Sequence, residues 1–83
     1  MKLNLLYFAR LKDAFGLDGE RLESEADTVA ALLVELRQRG GVWARELAAG
    51  QAFRVAVNQE MAQPDTPLAD GAEVAIFPPV TGG

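Results

Sequence analysis

Apolar side chains alternate from Lys2 to Ala9, with Leu3, Leu5, Tyr7 and Ala9 on one face and Asn4, Leu6 and Phe8 on the other. A period of two is that of a strand, and here both faces carry apolar residues. The stretch Phe15-Gly16-Leu17-Asp18-Gly19 predicts a turn region, followed by a second strand over Glu20–Glu25, so the chain opens with a hairpin. The period then changes. Val29, Leu32, Leu33 and Leu36 recur at the i, i+3, i+4, i+7 spacing of one helical face, behind Asp27 and Thr28, both good N-caps. Arg37 and Arg39 suit the negative end of the helix dipole, and Gly40-Gly41 predicts a left-handed exit.

Beyond the helix, Trp43–Ala49 reads as a short helical turn closed by Gly50, and Phe53–Val57 alternates as a third strand. Asn58-Gln59 turns it into a brief fourth strand over Glu60–Ala62. Pro64 and Pro67 mark a loop, Asp70-Gly71 a tight turn, and Glu73–Phe77 the last strand, ended by Pro78-Pro79. The order strand, strand, helix, strand, short strand, strand predicts an α+β roll whose mixed sheet wraps one main helix plus a short helical turn. Periodicity alone leaves other small α+β folds open. The expected organisation is a globular domain over 1–79 and an extended tail over 80–83.

Composition narrows the function. Eighty-three residues support a single core. Cysteine and histidine are both absent, which removes the usual zinc ligands, the thiol nucleophile and the side chain that normally titrates near neutrality. An enzyme acting alone is not expected, nor a resident metal or cofactor. A net charge of -4 argues against a nucleic-acid partner, which demands a basic stripe. No apolar run approaches the roughly 20 residues of a membrane span, so the expectation is a cytoplasmic protein.

The last residues, Pro78-Pro79-Val80-Thr81-Gly82-Gly83, carry the most specific chemistry. Two prolines lack N–H donors and end the strand, leaving four residues with a reach of roughly 13 Å. Gly82 and Gly83 free the final carbonyl of flanking side chains, so the terminus can enter a narrow site in another protein. An α-carboxylate ionises with a pKa of about 3.3 to 3.7 and is a poor electrophile at neutral pH. Activation as a mixed anhydride with AMP, followed by displacement by sulfur, converts it to a thiocarboxylate. A Gly-Gly pair by itself is more often a frayed end.

The segment from Asp70 to Gly83, together with Leu5-Leu6-Tyr7-Phe8-Ala9-Arg10-Leu11 and Val55-Ala56-Val57-Asn58-Gln59, closely resembles the molybdopterin synthase small-subunit family. The resemblance implies a ubiquitin-like β-grasp fold and a sulfur carrier. In that family Gly83 would be adenylated by an activating enzyme similar to ubiquitin's, with ATP consumed there. It would then be thiocarboxylated by a sulfur-donor protein and inserted into the large synthase subunit, with Gly82 giving clearance. Sulfur passes to a cyclic pyranopterin monophosphate, building the dithiolene. The acyl-adenylate is the only nucleotide adduct implied, and no cofactor is stably bound. The implied assembly is a heterotetramer of two small and two large subunits, whose large subunits supply the catalytic lysines.

By alternation, Leu6, Phe8 and Phe77 point away from the helix-covered face and, with Met61, predict an apolar docking surface near the tail, continued by Pro78, Pro79, Val80 and Thr81. Trp43 is expected beneath the loop after the helix. Arg10, Lys12 and Arg54 are candidate rim charges. No Lys or Arg follows Arg54, while Glu60, Asp65, Asp70 and Glu73 do, so a partner gripping the C-terminal half is expected to present basic groups. The alternatives are a sulfur carrier for thiamine or tRNA thiolation, a ubiquitin-like protein modifier, and an interaction module with an inert tail.

Overall fold

A computed structural model describes residues 1–79. Five strands, β1 (Lys2–Tyr7), β2 (Gly19–Glu23), β3 (Arg54–Val57), β4 (Glu60–Met61) and β5 (Glu73–Phe77), form one sheet in the order β2-β1-β5-β3-β4. Only β1 and β5 run parallel, side by side at its centre; every other pair is antiparallel. Three helices accompany the sheet: α1 (Ala9–Phe15), α2 (Val29–Arg37) and α3 (Gly41–Glu46). The α+β roll around one main helix is therefore present, with one helix more than the sequence pattern predicts.

The core follows from the two periodicities. Leu3, Leu5 and Tyr7 of β1 and Val74 and Ile76 of β5 are at most 1% exposed, and Leu32 and Leu36 of α2 close over them. Burying each such side chain contributes about 1.5 to 3 kcal/mol relative to exposure. Thr28 caps α2 by accepting a hydrogen bond from the Ala31 N–H at 3.2 Å. Leu33, expected on the same stripe, is only half-buried.

Three expectations are corrected. Ala9 does not continue β1: it adopts a positive φ of 53° and starts α1, which runs through the predicted turn residue Phe15 and buries Leu11 and Phe15. The first two strands are thus a hairpin with a helix inserted in its connection. The second strand stops at Glu23, because Ser24 turns inward to bond both the Ala26 N–H and Glu35. Gly40 does not end α2, which closes on Gln38 in the right-handed region; Gly40 instead stands at the N-cap of α3. The Asn58-Gln59 turn holds, with both residues at positive φ, as a two-residue hairpin connection requires.

Candidate functional site

The outward face of the sheet can be built row by row, because cross-strand partners project to the same side. Leu6 pairs with Gly19 on one flank and Ala75 on the other; Ala75 pairs with Ala56, and Ala56 with Met61. One step towards the C-terminal end of β5, Phe77 pairs with Arg54, and the Phe8 N–H donates to the Ile76 carbonyl at 3.2 Å, setting Phe8 alongside Phe77. One step the other way the row turns polar, with Arg21, Asn4 and Glu73. The outer face is therefore apolar only towards the end where the chain leaves β5.

Exposure matches this map. Phe8 is 46% exposed and Met61 62%, whereas Leu6, Phe77, Pro78 and Pro79 are half-buried. Four of the expected docking residues, Phe8, Met61, Phe77 and the neighbouring Leu6, share this face, and Pro78 and Pro79 lead off its edge. Val80, Thr81, Gly82 and Gly83 lie outside the described residues. Gly19 earns its place here: a Cβ at that position would stand 2.7 Å from the Leu5 carbonyl oxygen and 3.2 Å from a Leu6 methyl.

Charges are unevenly placed around the face. Arg54 flanks Phe77 within its row, and Lys12 shares a hollow of about 390 Å³ with Leu6, Phe8 and Asp18 on the other flank. Neither cation makes an ion pair among the described residues, whereas Arg10 is engaged, 3.4 Å from Glu46 and donating to the Ala52 carbonyl. Of the four acidic residues that follow Arg54, Asp65 lies in the loop bonded to the start of α2, and three are placed by the sheet: Glu60 pairs with Val57, Asp70 accepts from the Lys2 N–H, and Glu73 sits opposite Asn4. All three are at the far end of the sheet from Phe77.

A cluster of ionisable groups with displaced pKa values lies elsewhere, on the helix side of the sheet. The Tyr7 hydroxyl donates to Glu20 at 2.7 Å, and Arg39 grips the same carboxylate with two bonds of 2.8 and 2.9 Å. Burial, then the Glu20 contact, drives the Tyr7 phenol well above its ordinary value; the Arg39 hydrogen bond leads in lowering Glu20. Arg39 also covers one side of Trp43 at 4.4 Å, and Phe15 stacks on that ring at 3.8 Å, so Trp43, expected beneath the loop after the helix, is a half-buried residue of α3 packed against the core. Sequence reasoning missed the Tyr7–Glu20–Arg39 triad, and no local pattern announces it.

A further hollow lies at the β4 edge of the sheet. The hollow of about 530 Å³ between α2 and the β3–β4 edge is lined by Val29, Leu33, Phe53, Val55 and their neighbours, with Arg54 its one charged group. Among the described residues no cluster of acids could hold a metal ion, and no helix is long and apolar enough to cross a membrane. The arrangement sets an apolar surface beside the point where the chain leaves β5, on a β-grasp fold.

Comparison with known proteins fits that fold. The ThiS family profile matches residues 5–83, and the chain belongs to the ThiS family. It is 40% identical to the "Molybdopterin synthase sulfur carrier subunit" of Haemophilus influenzae, over 98% of this chain and 99% of the relative. Among solved structures it is similar to SAMP1 from Haloferax volcanii, with 28% identity, full coverage of both chains and a TM-score of 0.79. The fold also matches a chain of the complex of subunits 1 and 2 of the molybdopterin-converting factor from Helicobacter pylori, at 24% identity, full coverage of both chains and a TM-score of 0.70.

Proposed function

We propose that this protein is the sulfur carrier subunit of a molybdopterin synthase, with the sulfur held as a thiocarboxylate on Gly83. The observation that carries the reading is the placement of Phe8, bonded through its N–H to the Ile76 carbonyl, and of Phe77 on a sheet face that no described element covers, at the end from which the chain continues past Pro79. The 40% identity to a sulfur carrier subunit over nearly the whole of both chains supports it. An apolar face of this kind is suited to docking, and the residues beyond Pro79 have the reach, roughly 13 Å, to enter a site in the docked protein.

In this reading the Gly83 carboxylate attacks the α-phosphate of ATP in an activating enzyme, releasing pyrophosphate and leaving an acyl-adenylate. The outer sulfur of a donor protein's persulfide attacks the acyl carbon and expels AMP, and a thiol of the donor then cleaves the S–S bond, leaving the thiocarboxylate on Gly83 and a disulfide on the donor. The large synthase subunit then receives the terminus beside a cyclic pyranopterin monophosphate. With no histidine or cysteine in its sequence, the carrier contributes the nucleophilic sulfur, and the acids and bases belong to the large subunit. Two carriers and two large subunits make the proposed heterotetramer, in the cytoplasm. The likeness to SAMP1 keeps protein modification as a second reading, in which Gly83 is joined to a target amine.

The test is a stoichiometric single-turnover assay. Thiocarboxylated protein mixed with purified large subunit and the cyclic pyranopterin monophosphate should consume one thiocarboxylate for each dithiolene sulfur formed, and the carboxylate form should give none. Equal product from the carboxylate form overturns the reading. Sulfur that reaches only thiazole or tRNA redirects it to another pathway.

A further inference from the structure

The acidic tail end of the sequence predicts a partner with basic groups, yet the folded chain reverses that expectation where the tail departs. We infer that the partner surface seating Phe8 and Phe77 carries carboxylates on its rim, placed to meet Arg54 on one flank and Lys12 on the other. The inference rests on the docking reading above and names the chemistry of the surface that docks.

Three observations carry it. Arg54 lies in the same cross-strand row as Phe77, and β1, β5 and β3 are adjacent, so Arg54 and Phe8 stand about 10 Å apart with Phe77 between them. Lys12 borders the hollow beside Phe8 and Leu6, so the aromatic pair is bracketed by cations. Of the four carboxylates that follow Arg54, Glu60, Asp70 and Glu73 are held at the opposite end of the sheet by the β3–β4 pairing, the Lys2 N–H and the β1–β5 register, and Asp65 lies off the sheet, on the loop bonded to the start of α2. Asp18 shares the Lys12 hollow and offsets part of its field. Arg54, with no carboxylate in its row, therefore carries more of the steering.

An exposed cation next to an apolar seat acts chiefly on encounter and orientation: it raises the association rate, loses strength with salt, and penalises a partner of like charge. A protein with net charge -4 repels an acidic partner at long range, so a local cationic patch would also aim the collision, turning the tail end forward.

The experiment measures association and dissociation rates of the full-length carrier with purified large synthase subunit from the same organism, at low and high salt. Arg54→Glu should slow association about tenfold at low salt, with the deficit shrinking at high salt, and Lys12→Glu should do the same more weakly. Arg54→Lys should rescue. Phe77→Ala should accelerate dissociation at every salt concentration. If Phe77→Ala weakens binding while Arg54→Glu leaves it unchanged or tightens it, the acidic rim is wrong and the docking face stands. If Phe77→Ala has no effect and Arg54→Glu still slows association, the cationic contact stands and the aromatic seat does not. If neither matters, both ideas fall.

Discussion

The two faces of the sheet are built from the same five strands and differ in what their apolar residues are for. On the inner face Leu3, Leu5, Val74 and Ile76 are sealed under α2 and contribute to folding. On the outer face Leu6, Phe8, Ala75, Phe77 and Met61 alternate with them in the same strands, yet no element of the described chain covers them. A half-exposed aromatic leaves much of its surface in water and stabilises the isolated domain little. Apolar alternation on both faces of a small sheet thus separates residues that the fold requires from residues that a second protein could use.

The largest expected effect concerns the point that both faces serve. Deleting Gly83, or adding a residue after it, should abolish sulfur transfer while the melting temperature stays unchanged, checked by single-turnover assay and calorimetry. Next come neighbours in β5 on opposite faces. Ile76→Ala should cost about 2 to 5 kcal/mol in denaturant unfolding, as a fully buried side chain, and Phe77→Ala clearly less. An equal loss for the two would erase the distinction between faces. Gly19→Ala sharpens it from the backbone: a Cβ at 2.7 Å from the Leu5 carbonyl must open the β1–β2 pairing, for about 1 to 3 kcal/mol.

The smallest effect is electrostatic. Glu20 is held below its ordinary value of 4.5, so its contribution is fully present above that pH and is lost as pH falls through the lowered folded value. Tyr7 is held above its ordinary value of 10.0, so its contribution is present below that pH and fades as pH rises past it. Glu20→Gln should flatten the acid limb of a stability profile below the ordinary value of 4.5 and leave the plateau near neutral pH lower. An acid limb unchanged from wild type would remove Glu20 from the account.

What was legible in the sequence was what depends on near neighbours. β5 begins and ends where its alternation and Pro78 predict, and α2 starts at Val29, behind its Thr28 cap, because cap and stripe are both local. Helix α1 was hidden. Its seven residues offer only Leu11 and Phe15 as an i, i+4 pair, its N-cap Phe8 supplies no side-chain bond, and it is entered through an alanine at positive φ. Such a helix is held by what it packs on, including the Phe15 stack on Trp43, and tertiary contact outweighs local pattern in pieces this short. The outer apolar row was legible from alternation. Lys12 and Arg54 were legible as candidate rim charges, but their places on opposite flanks of Phe8 and Phe77 were not, because these residues come together only once the strand order is known.

Trp43 is the sole tryptophan, and its ring is enclosed by Phe15, Tyr7 and Arg39 on the helix side of the sheet. Four segments, β1, α1, the residues after α2, and α3, must be assembled for that enclosure to exist. Its fluorescence is therefore a native optical gauge of the whole fold that needs no label. Because the sheet lies between it and the Phe8–Phe77 face, the same emission should stay silent when a protein binds there. Unfolding and docking can then be recorded on one unmodified sample as separate signals, the first by tryptophan emission and the second by any probe of mass or diffusion.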